Sequence, residues 1–576
     1  MERRGRIIAV FLIMVLAFAV VIVRLVHLQV VERSRLAARA ERQQEQIVIL
    51  EPKRGTIYDR GGRELAVTVD VDSVYGVPSN VDNPRELAAR LSRILREDPR
   101  RIERKLAGDR KFVWISRKVD PAKAARVKEL DSEEIRLRSE MRRFYPKRSL
   151  AGPLLGFTDV DNQGLEGIER AYDKLLRGTN GWVLAEKDAK GRMVFPGGPG
   201  FQFKVPKPGN DLILTVDEVI QHIAEKELDT ALVSSRAKGG VCIVMNPHTG
   251  EVLAMTVRTS GSARQAFNPN EPQTYKPGEW RNRAITDAFE PGSIFKPILA
   301  AAALEERVVH PLERFDCRGG KIQLADRVIK DAEEHGVLTF TDVVAESSNV
   351  GTIKVALRLG RERFYKYIAA FGFGRKTGID LPGEIPGLLR DVRQWSGVSL
   401  GEISIGQEIG VTPLQVAVAY SALANGGTMM TPYIVSEIVD REANARQKFT
   451  PRPLGRVVSL ETSAKVNAML QRVVESGTGQ KARLSGYTCA GKTGTAQKID
   501  HKTGSYSRKE YVSSFVGFAP AVSAKLVVVV MIDTPEGVIY GGSVAAPVFK
   551  AVAEQSLAYL QIPPDATEGR MLLVAR

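Results

Sequence analysis

The chain holds only three cysteines in 576 residues, Cys242, Cys317 and Cys489. They are odd in number and widely separated, which excludes a disulfide framework and a cysteine-based zinc site. Its six histidines are scattered and form no His-Glu-x-x-His pair, so neither a metal nor another cofactor is expected. Aromatic residues make up 7% of the chain, and no base-stacking pattern or nucleic-acid motif accompanies the net charge of +16. Nucleic acid is therefore not an expected partner. The positive excess is uneven, since residues 82–148 carry 21 Lys and Arg against 12 Asp and Glu. That stretch reads as an arginine-rich solvated surface, with an anionic polymer or a membrane as the second option. No internal repeat is present.

Charge itself is missing from residues 7–23, seventeen residues in a row. As a helix they would span about 25 Å, just short of a hydrocarbon core of about 30 Å. Arg24 can snorkel to the headgroups and let Leu25, Val26 and Leu28 complete the crossing. A cleaved signal peptide would need a small-x-small site close behind, but Ala38-Arg39-Ala40 lies well past the apolar run. The segment reads as an uncleaved anchor. Arg3, Arg4 and Arg6 precede it, which places the N-terminus in the cytoplasm and the bulk of the chain outside, as a single-pass protein of the cytoplasmic (inner) membrane.

After this anchor (residues 1–30), residues 32–46 read as a polar helix. Residues 47–205 mix short strands, charged helices and turn clusters such as Gly61-Gly62 and Gly197-Gly198-Pro199-Gly200. The Pro- and Gly-containing stretch 204–210 marks a boundary. Beyond it come a strand at 211–216, a helix at 217–233, and a hairpin of residues 240–245 and 251–255 around Asn246-Pro-His-Thr-Gly250. Helical segments dominate 294–359 and 412–425. The continuous apolar run 526–532 reads as a central buried strand. Strand, helices, then strands again give an α+β or α/β sandwich with a mainly antiparallel sheet.

Four catalytic patterns compete. Gly486 to Thr493 fits G-x-x-x-x-G-K-T, but a phosphate loop must follow a strand and open a helix, and its flanks are polar and glycine-rich. Gly397-Val-Ser399-Leu-Gly401 lacks the buried strand a nucleophile elbow needs, and one histidine, His501, follows it. Ser235-x-x-Lys238 ends a charged helix. Ser293-Ile-Phe-Lys296 has a different setting, with Glu290-Pro-Gly292 before it and Pro297 after it. Proline is tolerated only in a first helical turn, so the helix begins close to Ser293 and its positive end favours a developing alkoxide. Lys296 shares a face with Ser293, so its amine can reach the serine oxygen. It can act as a base only if neutral, which calls for burial in the apolar helix 298–304 or a second nearby cation.

Downstream lie Ser347-Ser348-Asn349 and Lys492-Thr493-Gly494-Thr495, 54 residues and then a further 145 along the chain. S-x-x-K, S-x-N and K-T-G in that order resemble the penicillin-binding proteins and serine β-lactamases. K-T-G recurs at Lys376 and Lys502, but only Lys492 carries the trailing Thr495-Ala496 and stands before the 526–532 strand. Arg54-Gly-Thr-Ile-Tyr-Asp-Arg-Gly-Gly62, with Gly61 where Asn is more usual, resembles the family's pedestal motif. Gly164-Leu-Glu-Gly-Ile-Glu169, Asn246 to Ala254 and Ser404 to Gln415 also fit. Together these resemble class B penicillin-binding proteins: an anchor, a non-catalytic dimerisation-type pedestal (31–210), a transpeptidase domain (211–560) and a tail (561–576), with no glycosyltransferase domain and no length for C-terminal repeats. The stretch 283–292 resembles the division branch more than the elongation branch.

The resemblance implies a fold and a chemistry. The fold is an antiparallel sheet flanked by helices, behind a membrane helix and an elongated pedestal. Ser293 attacks the penultimate D-alanine of a peptidoglycan stem peptide, with Lys296 as base. Ser347 and Asn349 relay the proton and hold the substrate amide, while Lys492 and Thr493 bind the terminal carboxylate. Lys492 is also the second cation sought above. Gly494 leaves space for a peptide laid along the strand, and the amides of Ser293 and Thr495 bind the oxyanion. Ile294 departs mildly from the family, where a small hydroxyl residue often follows the serine. Implied partners are stem peptides, β-lactams, a polytopic lipid II polymerase and other division proteins.

Overall fold

The computed structural model describes residues 2–36, 45–187, 193–194, 202–259, 266–500 and 504–566. The chain forms two compact units that interleave in sequence: Met1–Lys53 with Gly178–Gly209, and Arg54–Arg177 with Asn210–Arg576.

In the first unit, a helix over Glu2–Val26 passes into a wider five-residue turn, His27–Val31. It is long and apolar enough to cross a membrane. The strand Glu45–Leu50 pairs antiparallel with Gly181–Lys187, which also carries Met193–Val194 and Phe203–Lys204. Glu45 and Gln46, expected at the end of a polar helix, instead pair with Glu186 and Ala185. Cross-strand pairing overrides their local preference. Ala38-Arg39-Ala40 and the turn cluster at 197–200 lie outside the described residues.

The second unit holds two larger sheets. One runs in the order Ala445–Lys448, Val435–Asp440, Asp211–Leu214, Ile57–Tyr58, Glu64–Gly76, Val113–Ser116, with Ile135–Phe144 also on Glu64–Gly76. Asp211–Leu214 and Ile57–Tyr58 form the one parallel pair along it. The other sheet is antiparallel throughout, in the order Val252–Thr259, Gly239–Met245, Leu526–Asp533, Tyr506–Ala519, Ala490–Ile499. Leu526–Asp533 is its central strand and is buried apart from its last residue, as the apolar run predicts. The Glu218–Ser235 and Ala546–Tyr559 helices pack on one face. On the other lies Pro413–Ala424, every residue of which is buried. Its start is fixed by a capping box in which Thr412 Oγ1 accepts from Gln415 N at 3.1 Å and Gln415 Oε1 accepts from Thr412 N at 2.9 Å.

The reading of 294–359 as helical misses four short strands, Arg314–Asp316, Lys321–Leu324, Arg327–Lys330 and Val337–Thr339. They form two-stranded ribbons that are largely exposed, so no alternation of buried and exposed residues long enough to recognise is present.

Two of the quoted motifs meet in a buried ion cluster. Arg54 lies 2.7 Å from Glu169 and 2.7 Å from Asp173, and Arg143 Nε lies 2.5 Å from Glu169. Burial opposes charging Glu169, but the two guanidiniums outweigh it and hold its carboxyl below the usual range. This contribution to stability is present above the ordinary carboxylate pKa and is lost as pH falls through the depressed native one. Glu169→Gln leaves Arg143 buried without its countercharge and Arg54 with Asp173 alone. The expected loss is about 3–5 kcal/mol, read as a lower urea midpoint; an unchanged midpoint would refute the assignment of this cluster as a structural clamp.

Candidate active site

The turn that carries Ser293 is held from three sides. Gly292 has φ +56°, a conformation open to glycine, and Ser293 follows within a 3-10 turn, Gly292–Phe295. The α-helix proper begins at Lys296 and runs to Glu305, with Pro297 in its first turn. The helix thus starts close to Ser293, as expected, with the serine on a tighter lead-in turn. Gly292 N donates to Gly406 O at 3.0 Å, and the buried Tyr420 hydroxyl donates to Ile294 O at 2.7 Å. Gly406 has φ +83°, and a Cβ there would lie 2.1 Å from Gly292 O, so the loop after Ser404 can seat the turn only with glycine. Ser293 itself is partly exposed.

Lys296 follows, 1% exposed. Its Nζ donates to Ser347 O at 2.5 Å and Asn349 Oδ1 at 2.7 Å, with Ser347 Oγ at 3.3 Å. The direct contact to Ser293 is not formed: among the described residues nothing hydrogen-bonds the Ser293 hydroxyl, and Lys296 points into the Ser347–Asn349 turn instead. Burial lowers its pKa to about 7, with Asp331 pulling the other way. A neutral amine keeps two donors for the carbonyl and amide oxygens and leaves a lone pair to take a proton.

Lys492 lies on the edge strand Ala490–Ile499 and is fully buried. Its Nζ donates to Ser347 Oγ at 2.9 Å and to Thr493 O at 3.2 Å. Burial and then the neighbouring Lys296 push its pKa well down, against an opposing pull from Glu346. Lys492 thus stands beside Lys296, joined to it through one serine hydroxyl, while the lowering of Lys296 comes from burial. Thr493 Oγ1 is 2.7 Å from Thr478 Oγ1, and Thr495 Oγ1 accepts from Gly541 N at 3.0 Å. Gly494 is also constrained by packing. A Cβ there would meet Ser514 Oγ at 2.4 Å and Ile294 at 2.9 Å, so its bareness lets the Ser293 turn dock on the strand.

Asp331, which the sequence reading passed over, anchors the Ser347–Asn349 turn. Ser347 is held at φ +62°, rare for a residue with a side chain. Ser348 caps the Asn349–Leu359 helix, accepting from Gly351 N at 3.0 Å. Asp331 then accepts from Ser348 Oγ at 2.9 Å, from Asn349 N, and from Val350 N at 3.0 Å. It sits just after one of the short exposed strands, so no periodic signal singles it out. An aspartate sixteen residues ahead of a serine turn is visible only once the fold brings the two together.

The rival patterns fall away. Lys492 lies inside a strand, with no helix opening behind it to cradle phosphate. Ser399 is buried in the first turn of Ser399–Ser404 and donates to Glu408 at 2.7 Å. Lys238 pairs with Glu510, and Thr377 beside Lys376 is bonded to Glu384 in a loop. His501 and Lys502 lie outside the described residues.

Comparison with known proteins places the chain in a family. The penicillin-binding protein transpeptidase domain matches residues 240–554, and the penicillin-binding protein dimerisation domain matches residues 49–214. The chain is 38% identical over 570 residues to stage V sporulation protein D of Bacillus subtilis, covering 97% of this chain and 86% of that protein. It is 34% identical over 561 residues to the peptidoglycan D,D-transpeptidase FtsI of Escherichia coli K12, covering 96% and 91% respectively. Penicillin-binding protein 3 of Mycobacterium tuberculosis, solved with aztreonam, superposes with a TM-score of 0.70 at 30% identity, covering 90% of this chain and 98% of that one. The chain therefore belongs to the penicillin-binding protein transpeptidase family, and it has the fold expected of a class B member: a transpeptidase domain, a dimerisation domain and one apolar N-terminal helix.

Asp331→Ala removes one acceptor from three donors at a helix start. The expected loss is about 1–2 kcal/mol of stability, together with slower penicillin acylation as the turn that positions Asn349 and Ser347 loosens. Stopped-flow acylation beside a melting curve checks both. Wild-type acylation in a folded variant would show that the turn holds without the carboxylate.

Proposed function

We propose that this chain is a membrane-anchored peptidoglycan D,D-transpeptidase that works through an acyl-enzyme at Ser293. The observation that carries the reading is the pair of buried lysines, Lys296 and Lys492, meeting at Ser347 beside the Ser293 turn. Ser293 Oγ attacks the carbonyl carbon of the penultimate D-alanine, and its proton passes to neutral Lys296. The C–N bond breaks, and the departing D-alanine takes a proton through Ser347, whose hydroxyl touches both lysines. Asn349 holds the substrate amide. Lys492 and Thr493 receive the terminal carboxylate, a charge that draws Lys492 to its protonated form. The amides of Ser293 and Thr495 stabilise the oxyanion, a contribution of about 3–4 kcal/mol for each donor of this kind. An amine from a second stem peptide then attacks the ester carbonyl, frees Ser293 and leaves a cross-link.

Ala490–Ile499 is the edge of its sheet, and its outer backbone groups are available to an extended peptide or a β-lactam amide. Residues 31–210 serve as the pedestal and 211–560 as the transpeptidase domain. The positive flank Arg3, Arg4 and Arg6 supports a cytoplasmic N-terminus, with catalysis on the outer side of the membrane. Similarity to FtsI over nearly the whole chain supports a septal role in cell division, with a polytopic lipid II polymerase and other division proteins as partners. The 38% identity to a stage V sporulation protein favours a second setting, wall synthesis during sporulation, with the same chemistry.

Labelling the purified chain with a fluorescent penicillin tests the nucleophile. Ser293→Ala is expected to abolish labelling, and persistent labelling would overturn the assignment. Retention of the label distinguishes a transpeptidase from a hydrolase, which would release it quickly. The acylation rate is also expected to rise with pH through about 7, because the base works only after Lys296 has lost its proton. A rate that is flat from about pH 5.5 to 8.5 would exclude Lys296 as the base.

A further inference from the structure

The chain just ahead of Ser293 runs antiparallel to the loop that follows Ser404. Phe289 N donates to Val411 O at 3.0 Å, and Val411 N donates back to Phe289 O at 2.9 Å. Gly292 N then donates to Gly406 O at 3.0 Å. Between these two contacts Glu408 takes φ +57°, a left-handed excursion that interrupts the extended backbone. The amide it leaves over is taken by a side chain, since Glu408 N donates to Glu290 Oε1 at 3.0 Å. Glu290 thus supplies from its carboxylate the acceptor that a regular ladder would supply from a carbonyl.

The same oxygen accepts a second hydrogen bond, from the Tyr506 hydroxyl at 3.2 Å. Tyr506 opens the strand Tyr506–Ala519 and pairs with Ile499, the last residue of the edge strand that carries Lys492, Thr493 and Thr495. One carboxylate oxygen therefore ties together the nucleophile turn, the loop after Ser404 and the far end of the edge strand. That loop is pinned from behind, where Glu408 Oε2 accepts from Ser399 Oγ at 2.7 Å and from Arg390 Nη2 at 2.6 Å. Glu290 keeps its place at a cost. Its Oε2 is buried with no partner among the described residues. Burial, with Glu402 and Glu408 adding to it, raises its pKa against the pull of the Tyr506 hydroxyl and the Glu408 amide. A polar group left half-unpaired in the interior marks a place where stability has yielded to position. Glu290 makes no hydrogen bond to Ser293 among the described residues, so any effect on the nucleophile passes through the backbone.

We infer that Glu290 is a positioning residue for Ser293: its Oε1, held between the Glu408 amide and the Tyr506 hydroxyl, fixes the nucleophile turn against the end of the strand on which the substrate lies. The inference rests on Ser293 as the acylated residue and on Ala490–Ile499 as the substrate strand. A misplacement of about 1 Å at the reacting atom can cost about 10²-fold in rate. A contact that touches neither the substrate nor the Ser293 hydroxyl can therefore set the speed of acylation.

The test follows acylation of the full chain in detergent micelles over a range of concentrations of a fluorescent penicillin. Such a series separates the dissociation constant of the first complex from the rate of the chemical step. Glu290→Ala is expected to slow the chemical step by about tenfold or more, with the dissociation constant changed by less than about twofold. Glu290→Gln retains an acceptor oxygen and is expected to bring the rate back to within about threefold of the wild type. Tyr506→Phe is expected to slow the step by about threefold and to add nothing further in a chain that already carries Glu290→Ala. A melting curve checks that each variant is folded; if Glu290→Ala is not, Tyr506→Phe alone decides, and a wild-type chemical step in it would overturn the proposal. So would a wild-type step in folded Glu290→Ala, a loss carried by the dissociation constant, no recovery in Glu290→Gln, or additive losses in the double variant. Labelling that is absent from the wild type, or that persists in Ser293→Ala, would instead refute the acyl-enzyme reading on which the inference rests.

Discussion

Two lysine amines, Lys296 and Lys492, are buried around one serine hydroxyl, with no carboxylate ion pair to either among the described residues. An isolated ammonium in such a place would be costly, so at least one amine must give up its proton. That constraint turns an ordinarily protonated side chain into a base poised near neutrality, and it dictates much of what surrounds it. The apolar helix Lys296–Glu305 supplies the burial. Ser347 and Asn349 supply oxygens for the remaining N–H groups, and the turn they form takes an unfavourable φ in order to present them. Asp331 lies close enough to oppose the pKa shift of Lys296 while it fastens that turn. A carboxylate nearer to the amine would restore the proton and remove the base.

Close approach is the second requirement, and glycines meet it. Gly406 lets its loop touch Gly292, and Gly494 lets the edge strand accept the Ser293 turn. Three elements from distant parts of the chain thereby converge on one short 3-10 turn. Their positions rest on the fully buried Pro413–Ala424 helix, whose Tyr420 hydroxyl bonds directly to the turn. The chemistry of the site is in this sense a product of backbone packing, with side-chain identity decisive only at the last step.

The sequence made legible those parts whose signal is local. The apolar N-terminal run, the hairpin around Asn246–Gly250, the buried strand near 526–532 and the proline-bracketed serine all carry their cues within a few residues. The three motif clusters were legible because serine, lysine and asparagine stand in a fixed order, and each does lie at one site. What escaped depends on tertiary pairing. Asp331 follows an exposed ribbon with no periodicity, Glu45 and Gln46 become strand through a partner some 140 residues away, and the packing of Gly494 against Ile294 and Ser514 is set by the fold. Lys296 follows Ser293 by three residues, yet its amine is drawn to oxygens that no local rule reveals.

The mixed sheet of the second unit has a consequence for how the molecule is made. Asp211–Leu214 is flanked on one side by Ile57–Tyr58 and on the other by Val435–Asp440. The central strand of the other sheet, Leu526–Asp533, likewise pairs with Gly239–Met245. Neither sheet can close until chain made much later has emerged from the ribosome, at a rate of about 5–20 residues per second. Contacts of such high sequence separation form slowly, and the unpaired edges of Asp211–Leu214 and Gly239–Met245 stay open to wrong partners in the interval. The order in which its strands are written thus sets how long a nascent chain of this topology is open to mispairing.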